Sequence, residues 1–257
     1  MTFFNIIRIF WLILNMTIAF FLLAPIDIFL SVVFQSRRPW FITWLWSKWV
    51  FTLGGIRYQL EGQENLIPGE SYLFMSNHTH EADIALLYMA LKRDIIFVIK
   101  EEFRKVPFAG WYGALKGHIF IDRSNPTKAQ LTLKNVVEKF KQRPRSLVIF
   151  PEGTYFKDGT VRPFRPGGAV LAIGTGMKVV PVAIHSKANI EGLLIKGTWK
   201  NPLKVIIGEP FSVEGKTYDD RYDVARQTQN AVLDLLSSDY SSTGTNAEYS
   251  YQKRVKK

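Results

Sequence analysis

Hydrophobic positions divide this chain into distinct textures. Residues 9–26 form a nearly continuous apolar run that holds Asn15 and is followed closely by Asp27. After Arg37-Arg38-Pro39, a second apolar segment carries Trp40, Trp44, Trp46 and Trp49. A spanning helix needs about 20 apolar residues, so the first run is long enough to cross a bilayer. Indole rings, half apolar with an N–H that stays wet, favour the headgroup zone. The two segments predict a pair of helices dipping into one leaflet, with a single span as the alternative. A cleaved signal peptide fits less well. Only Arg8 charges the preceding region, and the apolar run continues past Pro25 without a small-residue cleavage site.

Beyond Phe51 the periodicity shortens. Gly54-Gly55 and Glu61-Gly62 punctuate a β-type run at 56–60. Short apolar or β-branched runs recur at 72–75, 95–99, 118–121, 146–150, 179–184 and 204–207. Each is flanked by turn residues, the signature of strands. Helical patterns at 82–91, 126–142 and 168–175 lie between them, and 218–236 reads as a closing amphipathic helix. This alternation predicts an α/β fold: a mixed, largely parallel central sheet covered by helices, preceded by the membrane-associated two-helix motif. The expected division is 1–52 for the membrane helices, 53–238 for the globular domain and 239–257 for a tail. That tail is polar and small from Ser237 and ends Lys253-Arg254-Val255-Lys256-Lys257. Its composition is that of a disordered segment able to rest on anionic lipid.

Charge sharpens the membrane reading. Of 257 residues, 33 are Lys or Arg and 22 Asp or Glu, a formal charge of +11. Nucleic acid, an anionic membrane and an anionic substrate could each answer that charge. The basic residues form no long block interleaved with aromatics, and no nucleic-acid motif is present, so nucleic acid is not an expected partner. They sit beside Trp- and Phe-rich segments, which suits a membrane surface. The absence of cysteine removes disulfides, thiolate metal sites and a thiol nucleophile.

The candidate chemistry starts at Asn77-His78-Thr79-His80-Glu81-Ala82-Asp83. A histidine beside a carboxylate is a general base whose partner fixes its tautomer and stabilises its charged form. There is no G-x-S-x-G turn, so a hydroxyl brought by the substrate is the expected nucleophile. On a regular helix, positions five apart point ~140° away from each other. The pair therefore requires His78 in the loop before a helix and Asp83 in its first turn. The competing reading makes Asn77 or Thr79 a helix cap and His78 incidental. A metal-binding H-x-H-x-D-H pattern fails, because Ala82 stands where the aspartate belongs and no histidine follows. Only His118 and His185 remain to complete a site, so no metal is expected. His80 reads as a tolerated polar residue near the mouth of the site.

Three further stretches matter. Gly117-His118-Ile119-Phe120-Ile121-Asp122-Arg123 ends a strand in Asp-Arg, where ligands bind in α/β sheets. Arg123 offers a planar fork for phosphate, or else a salt bridge to Asp122. Leu147-Val148-Ile149-Phe150 runs into Pro151-Glu152-Gly153-Thr154. There Glu152 could orient an arginine or accept from a hydroxyl, while the Gly153 N–H and Thr154 hydroxyl could donate. The last, Val179-Val180-Pro181-Val182-Ala183-Ile184, reads as a buried strand with a proline at a bulge or edge.

In this order the four stretches resemble the blocks of the glycerolipid acyltransferase family, which includes 1-acylglycerol-3-phosphate acyltransferase. His78 to Asp83 resembles its H-x-x-x-x-D block, Gly117 to Arg123 its second, Phe150 to Thr154 its F-P-E-G-T, and Val180 to Val182 its V-P-V. Lys100 to Phe103, Pro107 to Trp111 and Phe164 to Ala169 are also similar, and the likeness covers roughly residues 40–210. Tyr155-Phe156 departs from it, standing where members often carry Arg-Ser; Arg162 or Arg165 could supply the missing cation. The resemblance implies acyl transfer from acyl-CoA or acyl-carrier protein to the sn-2 hydroxyl of 1-acyl-glycerol-3-phosphate, giving phosphatidic acid. No cofactor beyond the donor is implied. His78 would be the base, Asp83 its partner, and Arg123 the phosphate grip, beside Glu152, Gly153 and Thr154. Lys100, Lys105 and Arg165 could add to the anionic pocket but read mainly as solvated surface, and Pro181 as shaping an acyl or donor tunnel. Partners would be membrane phospholipid and lysophospholipid, at the cytoplasmic face. Another lysophospholipid or lyso-aminolipid acceptor fits the same residues. So does a hydrolase that turns the pair on water, whereas a non-catalytic membrane-binding protein would have no use for His78.

Overall fold

The computed structural model describes residues 3–34, 39–154, 160–186 and 202–242. Helix α1 (Phe3–Val33) runs through Pro25 without a break, and α2 (Trp40–Leu53) packs back along it. The two form an antiparallel hairpin. Near the start of α1, Arg8 Nη2 and Trp11 Nε1 donate to the Gly54 and Leu53 carbonyls at the end of α2, at 3.2 and 2.9 Å. Those carbonyls have no partner within their own helix, and the α1 side chains satisfy them.

The pattern of α1 is inverted relative to a water-soluble helix. Its buried stripe holds Leu12, Asn15, Ala19, Ala24, Asp27 and Ser31, while Phe10, Ile13, Phe21, Leu22, Phe29 and Val32 stand exposed. Small and polar side chains face protein, and large apolar ones face outward. The stretch Ile6–Val33 is long and apolar enough to cross a membrane by length and composition. Asp27, which interrupts the apolar pattern in the sequence, is buried against the globular part. Lys116 Nζ donates to its Oδ1 at 3.0 Å and to Ser31 Oγ at 3.3 Å, and the Tyr112 hydroxyl donates to its Oδ2.

The sheet has seven strands: β1 (Tyr58–Glu61), β2 (Leu73–Ser76), β3 (Ile95–Lys100), β4 (Ile119–Ile121), β5 (Ser146–Ile149), β6 (Val179–His185) and β7 (Leu203–Ile207). Their order is β1-β7-β6-β2-β5-β3-β4. All neighbouring pairs are parallel except β6 with β7, so the sheet is mixed and largely parallel. Both faces are covered, which explains why the strands read as unbroken apolar runs. One face packs Phe74, Val148 and Val182 against Phe51 of α2 and Leu86 of α3 (Asp83–Leu91). The other packs Met75, Leu147 and Val179 beneath α5 (Pro126–Gln142), α6 (Gly167–Thr175) and α7 (Arg221–Ser242), through Phe140, Leu171 and Val232.

Two elements differ from the sequence reading. Helix α4 (Ala109–Lys116) has no counterpart in it, because Gly110, Gly113 and an outward-facing Trp111 disguise the helical period. Helix α7 continues to Ser242, past Ser237 where the tail was expected to begin. The basic end of that tail, Arg37-Arg38 and the Tyr155-Phe156 departure lie outside the described residues.

Candidate active site

The site assembles where β2 and β5 end side by side. Their register pairs Met75 with Ile149, so His78 and Glu152 each lie three residues beyond a matched pair. Strand ends in parallel sheets collect ligand-binding residues. Asn77 fixes the exit from β2. Its Nδ2 donates to the Ile184 carbonyl at 2.9 Å and its Oδ1 accepts from the Ile184 N–H at 2.7 Å. The amide thus extends the ladder to β6 by one side chain, a role the sequence reading missed.

His78 lies in the loop and Asp83 is the first residue of α3, the arrangement the spacing required. His78 Nδ1 meets Asp83 Oδ2 at 2.8 Å. Asp83 also accepts from the Thr79 N–H at 2.6 Å, the Thr79 hydroxyl at 2.8 Å and the His80 N–H at 3.1 Å. Burial of Asp83 opposes its charge, yet the His78 hydrogen bond, the two imidazoles and the Thr79 N–H together hold its carboxyl below the usual range. A carboxylate so held takes the His78 Nδ1 proton in a hydrogen bond and leaves the lone pair on Nε2, the tautomer a general base needs. The ring is stacked on Phe150 with centroids 4.1 Å apart.

His80 is not a residue at the mouth. It is fully buried, with Nδ1 3.2 Å from Asp83 Oδ1, off the line of a good hydrogen bond, and Nε2 3.3 Å from Ser186 Oγ. It packs behind the aspartate, and only the turn into α3 places it there. His118 is likewise internal: its Nδ1 accepts from the Phe97 N–H, its Nε2 meets the Tyr88 hydroxyl, and burial pushes it down to about 3.

Glu152 works as a bracket. Its Oε1 accepts from the His78 N–H at 2.9 Å and its Oε2 from the Arg162 N–H at 2.7 Å, tying two loops across the site. Burial nevertheless pushes its carboxyl up to about 7. A carboxyl whose folded pKa exceeds its ordinary 4.5 binds more protons folded than unfolded between those values. Stability is therefore expected to fall, by on the order of 1–3 kcal/mol, as pH rises from about 4.5 to about 7. Thermal unfolding at pH 5 and pH 7.5 checks this against Glu152→Gln, which lacks the titration; parallel curves for the two proteins would refute it.

Arg123, two residues past β4, donates from Nη1 to the Gly153 carbonyl. The alternative salt bridge to Asp122 is not formed, because Asp122 accepts from the Ser124 N–H and hydroxyl instead. Gly153 has φ +86°, and a Cβ there would sit 3.3–3.4 Å from the Arg165 guanidinium. Glycine thus allows both the turn and the close approach of a cation. The Gly153 N–H, expected to face substrate, closes the turn on Phe150 O at 3.1 Å. Burial lowers the pKa of Arg123 and Arg165 lowers it further, with Glu102 opposing. Neither guanidinium is ion-paired to a described carboxylate. Two arginines with no ion-pair partner among the described residues are an arrangement able to receive an anion. Arg165 is exposed, as read from the sequence, and its guanidinium lies beside Gly153, where it could supply the cation that Tyr155-Phe156 lacks. Thr154 is exposed at its edge.

Pro181 stands apart. It is buried within β6 opposite Met75, and its ring lies against Gly208. Its position is one of packing in the sheet rather than of the loop cluster.

Comparison with known proteins agrees with this geometry. The Acyltransferase family matches residues 57–185. A 1-acyl-sn-glycerol-3-phosphate acyltransferase of Pseudomonas aeruginosa is 31% identical over 204 residues, covering 78% of this chain and 76% of that one. One from Saccharomyces cerevisiae is 30% identical over 184 residues, covering 71% of this chain; the match spans only 60% of the yeast protein. The crystal structure of the 1-acyl-sn-glycerophosphate acyltransferase of Thermotoga maritima superposes with a TM-score of 0.64 at 25% identity, over 88% of this chain and 95% of that one. With its His–Asp pair at the end of β2 and Arg123 just past β4, this chain belongs to the Acyltransferase family.

Proposed function

We propose that this protein moves a fatty acyl chain from a thioester, acyl-CoA or acyl-carrier protein, to the sn-2 hydroxyl of 1-acyl-glycerol-3-phosphate. The observation that carries this reading is the proximity of the His78–Asp83 couple to the Arg123–Arg165 pair, bridged by the Phe150-to-Gly153 turn. A base and an anion seat joined by one turn suit an acceptor bearing both a hydroxyl and a phosphate.

In the proposed reaction His78 Nε2 takes the hydroxyl proton as the oxygen attacks the thioester carbonyl. Asp83 stabilises the resulting imidazolium. The tetrahedral adduct collapses, the C–S bond breaks, and the leaving thiolate receives the proton from His78. The thioester is already activated, so positioning and proton transfer carry the rate. Glu152 holds the His78 and Arg162 loops so that base and anion seat keep their spacing. The apolar face of α1 supports residence at the membrane, with the site turned to the cytoplasmic donor.

The decisive assay incubates labelled acyl-CoA with lysophosphatidate, with monoacylglycerol, or with water alone. Acylation confined to the phosphorylated acceptor supports the reading; release of free fatty acid without acceptor would replace it with hydrolysis. Hydrogen bonds to charged groups contribute ~1.5–3 kcal/mol. Arg123→Ala is therefore expected to raise the KM for lysophosphatidate by about 10–100-fold. The KM for acyl-CoA should change little. An unchanged KM for lysophosphatidate would remove Arg123 from phosphate binding.

A further inference from the structure

The 3-10 turn Glu101–Lys105 and helix α4 carry a second inverted surface. Inside lie Gly110, Gly113 and Lys116; outside lie Phe108, Trp111 and Leu115, at 52%, 60% and 63% exposure, with Phe103 and Val106 beside them. A helix turned to water shows the opposite pattern, as α5 does: Val136 and Phe140 are buried, whereas Lys134 and Lys139 face away from the core. An exposed patch of several large apolar side chains marks an interaction surface.

What covers this patch is indicated by its neighbour. The Phe108 ring meets Phe21 of α1 edge-on with centroids 5.1 Å apart, and Phe20 meets Tyr112 at 5.5 Å. The two inverted surfaces are therefore one surface, and the Asp27–Lys116 ion pair lies buried behind it. One half of it is the outer face of a helix apolar enough to enter a bilayer. Phe108 has φ +61°, a conformation uncommon for a bulky residue, and it keeps its ring on the outer side. Lys105 stands exposed at the border, suited to an anionic headgroup.

We propose that residues 103–115 form a second leaflet-inserting element, seated in lipid beside α1. The turn starts at the end of β3, where Lys100 pairs with Ile121, two residues before Arg123. Insertion at 103–115 therefore holds the loop ends of the sheet against the lipid surface. This inference does not depend on which acceptor is used.

The absence of cysteine makes the test direct. Single-cysteine full-length proteins, Leu115→Cys, Phe21→Cys on α1 and Lys139→Cys on α5, are labelled with a nitrobenzoxadiazole dye. Each is reconstituted into phosphatidylcholine–phosphatidylglycerol vesicles with and without doxyl-labelled lipid. The expected result is blue-shifted emission and at least twofold quenching at positions 115 and 21, with neither at 139. Quenching at 21 but not at 115 would overturn the proposal and leave α1 as the inserted element. A blue shift at 115 without quenching would overturn it in favour of a second copy of this chain. Trp111→Asp with Leu115→Asp provides an independent measure. Vesicle binding should weaken at least tenfold, while turnover on a monodisperse short-chain acceptor is retained; unchanged binding would also overturn the proposal.

Discussion

Replacing His78 with alanine is expected to lower turnover by ~10²–10⁴-fold, the range that general base catalysis contributes. The imidazole is the group at the strand ends whose tautomer is fixed by a buried carboxylate, at 2.8 Å. The fold should survive the change. Asp83 keeps the Thr79 N–H, the Thr79 hydroxyl and the His80 N–H as donors, so the aspartate is not left buried without partners. Glu152 is held through the His78 backbone N–H, which alanine retains. The KM for each substrate should therefore stay near that of the wild type while kcat collapses. Steady-state acyl transfer, paired with thermal unfolding of both proteins, checks this. Turnover within a few-fold of normal would refute the base assignment.

Lys116→Met is expected to destabilise the protein by ~3–5 kcal/mol, the cost of removing one partner of a buried ion pair. Lys116 is 3% and Asp27 0% exposed, and the pair joins helices 89 residues apart in sequence. Methionine fills similar volume but leaves Asp27 with only the Tyr112 hydroxyl among the described residues. The double variant Asp27→Leu with Lys116→Met removes both charges, and such replacements are often neutral. It should regain most of the lost stability. Equal stability of the single variant and the wild type, by unfolding in detergent, would show that the pair does not fasten α1 to α4.

The sheet was legible because its signals are local. Runs such as Ile95 to Ile99 alternate with turn residues, and the structure moves their ends by only a residue or so. The His78–Asp83 couple was legible for a similar reason: five residues of spacing permit one geometry, loop then first helical turn, and that is what forms. Helix α4 was hidden because its inward residues are glycines and a lysine, which carry no apolar signal. Asn77 and His80 were misjudged. Their partners are Ile184 and Ser186 at the end of β6, neither of them nearby in the chain.

The sequence by itself determined the alternation of strands and helices, the apolar N-terminal run and the pairing of His78 with Asp83. Each follows from backbone propensity and side-chain period over a few residues. Only the tertiary structure decided which way α1 and α4 turn their apolar faces. It also decided that Asp27 is buried against Lys116, and that Arg123 and Arg165 meet across Gly153. Whether a charge is solvated, paired or left open to a ligand depends on what the fold brings within a few ångströms of it, and chain neighbours do not fix that.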